Sequence, residues 1–195
     1  MISILLDTSN RNLSVGLARD QKVFDSCQYV AWQRQSEFLV AEIDKLLTRN
    51  HLIRSDIDEV IAAKGPGSYT GVRISLTVAK VMAFALSVPL YLASSLEIYK
   101  HGEDLSLCLM NARSKRSYVG MYQGDKIILP DTILENDEVK TLLEAHPEAK
   151  ICGDTEYLGI PSSNTDVLTN LAKADILRNR VENVMAAKPV YLKEL

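Results

Sequence analysis

One order of strands and helices occurs twice along this sequence, and the repeat limits the available folds more than any other feature. The first copy opens with three strand-like runs that polar turns separate, over 2–6, 13–18 and 22–29. A helix, a strand, a long helix and a further strand complete this copy, over 39–47, 58–64, 72–86 and 89–92. The order predicts an α/β unit.

The second copy begins near residue 101 and is shorter. Its strand-like runs, helix and last strand lie over 105–110, 117–122, 126–129, 136–145 and 149–152. An offset of about 104 residues places Leu5 on Leu109, Asp7 on Asn111, Val15 on Val119 and Gly16 on Gly120. Chance similarity between apolar strand triplets is the alternative. The shared order favours two halves, 1–100 and 101–195, with a last helix over 166–179 that packs back on the first half.

Composition excludes several classes of protein. The 195 residues include 47% hydrophobic residues, which excludes a disordered chain, and the net charge of −3 gives no basis for charge-driven binding of nucleic acid. The three cysteines form no CxxC pair, so neither a zinc ribbon nor a redox motif is expected. The N-terminus lacks a basic signal-peptide region, and the apolar run over 76–92 is too short and too interrupted to span a bilayer. We therefore expect a cytoplasmic protein without a membrane segment.

A glycine-rich segment between the fourth strand and the long helix is the most informative stretch. Its residues are Gly65, Pro66, Gly67, Ser68, Tyr69, Thr70 and Gly71. Backbone N–H groups at a helix N-terminus suit a phosphate, but the spacing fits neither the Walker A motif nor the dinucleotide-binding motif. A structural turn, in which Ser68 or Thr70 caps the helix, is the alternative.

Chemistry-bearing residues are sparse outside that segment. The best polar cluster, Asp7-Thr8-Ser9, ends the first strand, where an acid in duplicated α/β ATPases helps to hold Mg²⁺ and phosphate. The matching position in the second half is the uncharged Asn111, so Asp7 can equally be a strand-end acid that accepts turn N–H groups. A vestigial nucleotide or phosphate site would comprise Asp7, Thr8, Ser9, Gly65, Gly67 and Ser68. The histidines are too widely separated for a metal motif, so we predict no metal site and no catalytic residue.

The long helix is apolar nearly all around its axis. A surface helix needs only one apolar stripe, so either the second half or another subunit should cover the outer face. We favour another subunit. The interface residues that this interpretation selects are Val72, Leu76, Val78, Ala79 and Met82.

With these motifs in view, the sequence resembles the TsaB (YeaZ) family along its whole length. The resemblance lies in 4–9, 13–15, 65–74, 79–80, 94–96, 111–113, 118–122, 153–154 and 189–193. Arg73 completes the family's glycine-rich motif. The resemblance implies an actin-like ATPase (ASKHA) fold of two ribonuclease-H-like halves, here with the second half shortened.

The resemblance also implies a function. TsaB-like proteins are non-catalytic subunits in the synthesis of threonylcarbamoyladenosine in tRNA. They pair with and activate a TsaD-like threonylcarbamoyl transferase, and a TsaE-like P-loop ATPase joins the assembly. ATP and metal would be used by these partners, tRNA would be bound mainly through them, and the free chain could form a homodimer.

Two departures from the family pattern remove candidate ligands. Gln35 stands where the family has histidine, and Asn111 stands where it has aspartate. Both favour a subunit without catalysis of its own. The alternative, an autonomous ATPase or small-molecule kinase of the actin-like class, rests on Asp7-Thr8-Ser9 and the glycine-rich segment.

Overall fold

The computed structural model describes residues 1–174 and 179–192. The first half is a five-stranded mixed sheet in the order β3-β2-β1-β4-β5. Strand β1 is antiparallel to β2 and parallel to β4, and β5 is parallel to β4. The strands are β1 (Ile2–Asp7), β2 (Asn12–Arg19), β3 (Lys22–Val30), β4 (Glu59–Ala63) and β5 (Leu90–Ala93).

Helices α1 (Gln35–Arg49) and α2 (Tyr69–Leu86) cover one face of this sheet. The alternation of side chains along a strand sends Ile4 and Leu6 into the core beneath these helices and Leu5 to the opposite face. Ser68 caps α2 by accepting the N–H of Gly71 on its Oγ at 3.3 Å. The sheet thus has an apolar layer on each face.

The second half repeats the pattern with one strand fewer in the described residues. Its sheet has the order β8-β7-β6-β9, which matches the order of β3, β2, β1 and β4. Helix α3 (Asn136–Ala145) packs against it. The strands are β6 (Leu105–Arg113), β7 (Arg116–Gln123), β8 (Lys126–Glu135) and β9 (Lys150–Gly153). The second half is therefore a shortened copy of the first.

The strand ladders correct the predicted alignment of the two copies by one residue. Asp7 pairs with Ser14 in β2, and the residue 104 positions after Ser14, Tyr118, pairs with Met110. The counterpart of Asp7 is thus Met110, and the match to Asn111 was wrong. The offset is 104 for the second strand of each copy and 103 for the first, because the connection between Met110 and Tyr118 contains one residue more than that between Asp7 and Ser14. The extra residue lies at the ladder irregularity of β6 between Asn111 and Arg113.

The same correction applies to Leu5. The predicted match, Leu109, lies in the outer core of the second half, whereas Leu5 shares the core between the halves with Cys108. A shift of one residue moves a strand side chain to the other face of the sheet, so only the corrected match preserves the core.

Helix α4 (Val167–Ala172) follows the second sheet in the chain but packs on the first. Leu168 lies over β2, where a Cβ on Gly16 would be 3.3 Å from its Cδ1. Asn170 donates from Nδ2 to the carbonyl oxygens of Ile98 and Lys100 at 2.8 and 2.7 Å. Residues 175–178 of the predicted last helix, and position 193 of the family resemblance, lie outside the described residues.

Helix α2 is long and apolar enough to cross a membrane by length and composition alone, with 18 residues and a mean hydropathy of 1.2. In this fold it packs along the first sheet, with Leu76, Ala79 and Ala83 at most 2% exposed. A core helix of a water-soluble domain meets the same criteria, so they do not identify a membrane span.

Candidate functional site

The glycine-rich segment packs directly on the backbone that ends β1. A Cβ on Gly67 would lie 2.3 Å from the carbonyl oxygen of Ser9, and one on Gly71 would lie 2.0 Å from that of Thr8. The N–H of Ser68 donates to the Ser9 carbonyl at 2.7 Å. Both glycines are therefore required for close approach of two backbones, which supports the structural alternative for this segment.

Gly65 meets a different neighbour. Its φ of +100° is unfavourable for other residues, and a Cβ there would lie 2.6 Å from the Val190 carbonyl oxygen. Its N–H donates to Ser95 Oγ at 3.0 Å. Pro66 is buried beside it. This end of the segment therefore faces the interior.

Asp7 and Thr8 also lie in the interior. Asp7 is 1% exposed, and its Oδ1 accepts the N–H of Ser9 at 2.8 Å. Burial raises the pKa of the Asp7 carboxyl, because a low-polarity environment disfavours its charge. Thr8 Oγ1 donates to the Gly71 carbonyl at 2.6 Å and accepts the N–H of Ser75 at 3.2 Å. These contacts join β1 to α2 and leave Asp7 and Thr8 out of the cleft described next.

A cleft of about 350 Å³ opens between the two halves above the ends of β1 and β6. It has the size of a small-ligand site and contains both aromatic and charged side chains. Its residues from the first half are Ser9, Asn10, Arg11, Trp32, Gly67, Ser68, Tyr69 and Thr70, and those from the second half are Met110, Asn111, Ala112, Arg113, Tyr118 and Asp154. Of the predicted vestigial site, the cleft brings together Ser9, Gly67 and Ser68.

Several residues that line the cleft were not predicted as site residues from the sequence. Trp32, Tyr118 and Asp154 belong to no motif that names a ligand, and they meet only because the two halves fold against each other. The available signal was that Trp32 is the only tryptophan of the chain and lies in a polar loop.

The two departures from the family pattern have structural roles. Gln35 is 5% exposed, and its Nε2 donates to the Asn10 carbonyl at 3.0 Å. Asn10 in turn donates from Nδ2 to the Tyr99 hydroxyl at 2.6 Å. Asn111 Oδ1 accepts the N–H of Arg113 at 2.7 Å. Gln35 thus fixes the start of α1 to the cleft, and Asn111 fixes the turn after β6.

Tyr69 and Arg73 form an exposed aromatic and cationic group at the start of α2. Arg73 donates from Nη1 to the Tyr69 hydroxyl at 2.6 Å, and its guanidinium lies 5.2 Å from the Tyr69 ring centre. The Tyr69 ring stacks on that of Tyr191 at 5.0 Å. This group continues the rim of the cleft toward the C-terminal segment.

The predicted partner interface requires correction. Val72, Leu76 and Ala79 are at most 2% exposed, so they are not available to another chain, and Leu76 and Ala79 lie in the core against the sheet. Val78 and Met82 are half-buried. One stripe of α2 was thus assigned to the wrong side, because a helix that is apolar all around gives no sign of which stripe faces the sheet.

The surface that remains open is an apolar stripe on the outer side of α2, and the adjacent helix α1 also carries an exposed valine. Phe84 is 66% exposed, Val81 is 62% exposed and Val40 of α1 is 60% exposed. A groove of about 460 Å³ runs beside the stripe between α1 and α2. We call this surface the outer helical face, and its residues are Val40, Ile74, Val78, Val81, Phe84 and Ala85.

No cluster of three or more His, Cys, Asp and Glu side chains with metal-binding geometry occurs within residues 1–174 and 179–192.

Comparisons with known proteins agree with this architecture. Residues 29–175 match the family model described as TsaD, tRNA N6-adenosine threonylcarbamoyltransferase. The chain is 34% identical over 139 residues to the tRNA threonylcarbamoyladenosine biosynthesis protein TsaB of Bacillus subtilis (strain 168), covering 68% of this chain and 60% of that protein. It is 29% identical over 132 residues to the protein of the same name from Escherichia coli (strain K12), covering 63% of this chain and 55% of that protein. The matches thus span somewhat more than half of each curated relative.

A solved structure extends the similarity to the whole chain. YeaZ from Pseudomonas aeruginosa superposes with a TM-score of 0.80 at 26% identity, covering 98% of this chain and 99% of that one. The two unequal α/β halves are therefore those of the actin-like ASKHA fold. Fold, family model and sequence identity agree, and the chain belongs to the TsaB (YeaZ) family.

Proposed function

We propose that this chain is a non-catalytic subunit in the threonylcarbamoyladenosine modification of tRNA, which pairs with a TsaD-like threonylcarbamoyl transferase and activates it. The observation that carries the proposal is the outer helical face. Ile74, Val78, Val81 and Ala85 repeat at helical spacing on one side of α2, and Phe84 lies beside them. An apolar seam of this spacing is the surface that another helix packs on.

The outer helical face has the properties of a binding surface. Two neighbouring helices present large apolar side chains that are 60–66% exposed, at Val40, Val81 and Phe84. Burial from full exposure contributes about 1.5–3 kcal/mol per side chain, so a partner that covers the exposed part of these three gains about 1–2 kcal/mol for each. A helical surface of the transferase is the partner that we propose.

The remaining parts of the proposal follow from the family. A TsaE-like P-loop ATPase would join the assembly, ATP and metal would be used by the partner subunits, and the site of action would be the cytoplasm. The free chain would cover the outer helical face by forming a homodimer. These parts of the proposal are independent of the pairing with the transferase, which has its own test below.

The alternative of an autonomous ATPase or kinase finds little support in the geometry. A Mg²⁺ ligand must be ionised and open to the cleft, whereas Asp7 is 1% exposed and its pKa is raised. The segment that would hold a phosphate has Gly67 against the Ser9 carbonyl. Calorimetry with Mg-ATP tests this alternative, and micromolar binding that is lost in Asp7→Ala would restore it.

The pairing is tested by titrating the TsaD-like transferase with the chain in a calorimeter. We expect Phe84→Asp to weaken binding by at least about tenfold, equivalent to about 1.4 kcal/mol, because it places a charge in an apolar interface. Ile128→Asp is the matched control, since Ile128 is 48% exposed on β8 of the other half. Equal losses in the two variants, or no complex with the unmodified chain, would refute the proposal.

A further inference from the structure

We infer that the cleft between the halves binds a short stretch of single-stranded RNA of at least two nucleotides, with a base stacked on Trp32 and the phosphate chain held by the turn at Arg113. The inference rests on the proposed function for the choice of RNA, and on the geometry of the cleft for the binding mode. It assigns this chain a direct contact with the substrate of its assembly, in addition to those that its partners make.

The first observation is the position of Trp32. This only tryptophan of the chain is 50% exposed and lines the cleft, and the Arg11 guanidinium lies 5.6 Å from its ring centre. The loop that carries it is fixed, because the N–H of Ala31 donates to the Arg11 carbonyl at 3.1 Å. An exposed aromatic ring beside a guanidinium is the arrangement on which unpaired bases stack.

The second observation is the turn on the opposite wall. Arg113, Ser114 and Lys115 all have left-handed backbone conformations, with φ of 62°, 53° and 60°, although none is glycine. Arg113 lines the cleft and forms no ion pair with residues 1–174 or 179–192. The turn therefore places a cationic side chain across from Trp32, where it can neutralise a phosphate.

Two further features distinguish a chain of nucleotides from a single one. The stacked pair of Tyr69 and Tyr191 continues the rim beyond the cleft, with 44% and 41% of these residues exposed. Arg73 lies against the Tyr69 ring. This second aromatic and arginine pair, at the rim of the cleft that Tyr69 lines, provides a place for the next base, which a free mononucleotide would leave empty.

The carboxylates near the cleft are compatible with this ligand. Glu156 forms an ion pair with Arg11 at 2.9 Å, at the outer edge. Asp154 lines the cleft, and a carboxylate there can accept hydrogen bonds from the amino group of a base. Asp154 would thus accept hydrogen bonds from the base, and Arg113 on the opposite wall would neutralise the phosphate.

The experiment measures RNA binding by the purified full chain without its partners. The probe is a fluorescein-labelled single-stranded RNA of about eight nucleotides, followed by anisotropy at low salt, with Trp32 emission as a second readout of the unmodified chain. We expect Trp32 quenching, and binding at least about tenfold weaker in Trp32→Ala and in Arg113→Glu. The plot of the logarithm of the association constant against the logarithm of the salt concentration should have a slope smaller in magnitude by about 0.7 in Arg113→Glu, because one phosphate contact is lost.

Arg54→Glu is the control, because Arg54 is exposed on a turn that does not line the cleft. It should bind within about twofold of the unmodified chain. The inference is overturned if the RNA does not bind, if Trp32→Ala binds equally well, if duplex RNA of the same sequence binds equally well, or if adenosine monophosphate binds as tightly as the RNA. Because the transferase is absent from this assay, RNA binding can fail while the proposed pairing holds. The chain can equally bind RNA and fail to pair with the transferase, so the two proposals are tested independently.

Discussion

Replacing Gly71 by alanine tests whether the glycine-rich segment exists to bring two backbones together. In an ordinary helix this change stabilises by about 1 kcal/mol, because glycine is a poor helix former. Here the added Cβ would lie 2.0 Å from the Thr8 carbonyl oxygen, whereas carbon–oxygen contacts are normally longer than about 3.3 Å. The two backbones must therefore separate by more than 1 Å, which we take from the difference between these distances.

The cost of that separation has two parts. Forcing a carbon into a packed core costs about 1–3 kcal/mol. The shift also breaks the hydrogen bonds of Thr8 Oγ1 with the Gly71 carbonyl and the Ser75 N–H, each of which contributes about 1 kcal/mol. After the gain in helix propensity, we expect Gly71→Ala to destabilise the fold by about 2–4 kcal/mol.

The assay is urea unfolding followed by far-ultraviolet circular dichroism. Gly16→Ala is the matched control, because the atoms nearest to its Cβ would be the side-chain ends of Leu5 and Leu168, at 3.3 Å. It should cost less than about 1 kcal/mol, since these ends can move by a few tenths of an ångström. A Gly71→Ala protein as stable as the unmodified chain would refute the close-approach explanation.

Three further substitutions test other contacts. Asp7→Asn should raise the melting temperature at pH 7, because it keeps an acceptor for the Ser9 N–H and removes a buried carboxyl whose pKa is raised. The unmodified chain should gain the same stability only as the pH falls through the folded-state pKa of Asp7, which melting curves at a series of pH values measure. Asp25→Asn should cost about 1 kcal/mol at pH 7, since Arg49 donates from Nε to Asp25 at 2.5 Å and holds the pKa of Asp25 low, and the loss should vanish once acid protonates the unmodified Asp25. Asp131→Ala should cost about 1–3 kcal/mol in urea unfolding, because it removes the acceptor that joins Ser94, at 2.5 Å, to the second half; a neutral result would show that this contact does not couple the halves.

The duplication could be predicted from the sequence, because alternating apolar residues and the polar turns between them indicate strands from local sequence alone. The order of elements in both halves agrees with the observed sheets. The alignment could not be predicted to the single residue, because an irregularity of β6 between Asn111 and Arg113 adds one residue and places Met110, and not Asn111, opposite Tyr118. Only the strand ladder shows this.

The apolar character of α2 was also evident in the sequence, but its orientation was not. Leu76 and Ala79 are apolar like Val81, but they face the sheet whereas Val81 is exposed. Periodicity gives the direction of the core when polar residues occupy the whole opposite side of a helix, whereas in α2 they form only a narrow stripe of Arg73, Thr77 and Lys80.

The cleft could be predicted only in part. Ser9, Gly67 and Ser68 follow from the strand–loop–helix pattern, whereas Trp32 and Asp154 come from loops more than 100 residues apart that the packing of the halves brings together. Asp7 differs in the opposite sense. Its position at the end of a strand predicts a metal or phosphate ligand, whereas the structure buries it away from the cleft.

The most direct test of the account is to measure threonylcarbamoyladenosine formation on tRNA by the TsaD-like transferase and its other partners, with and without this chain. The account predicts that omission of the chain abolishes product formation, that Phe84→Asp reduces it by at least about tenfold, and that Ile128→Asp leaves it unchanged. Full product formation without the chain, or with Phe84→Asp at the level of the Ile128→Asp control, would contradict it.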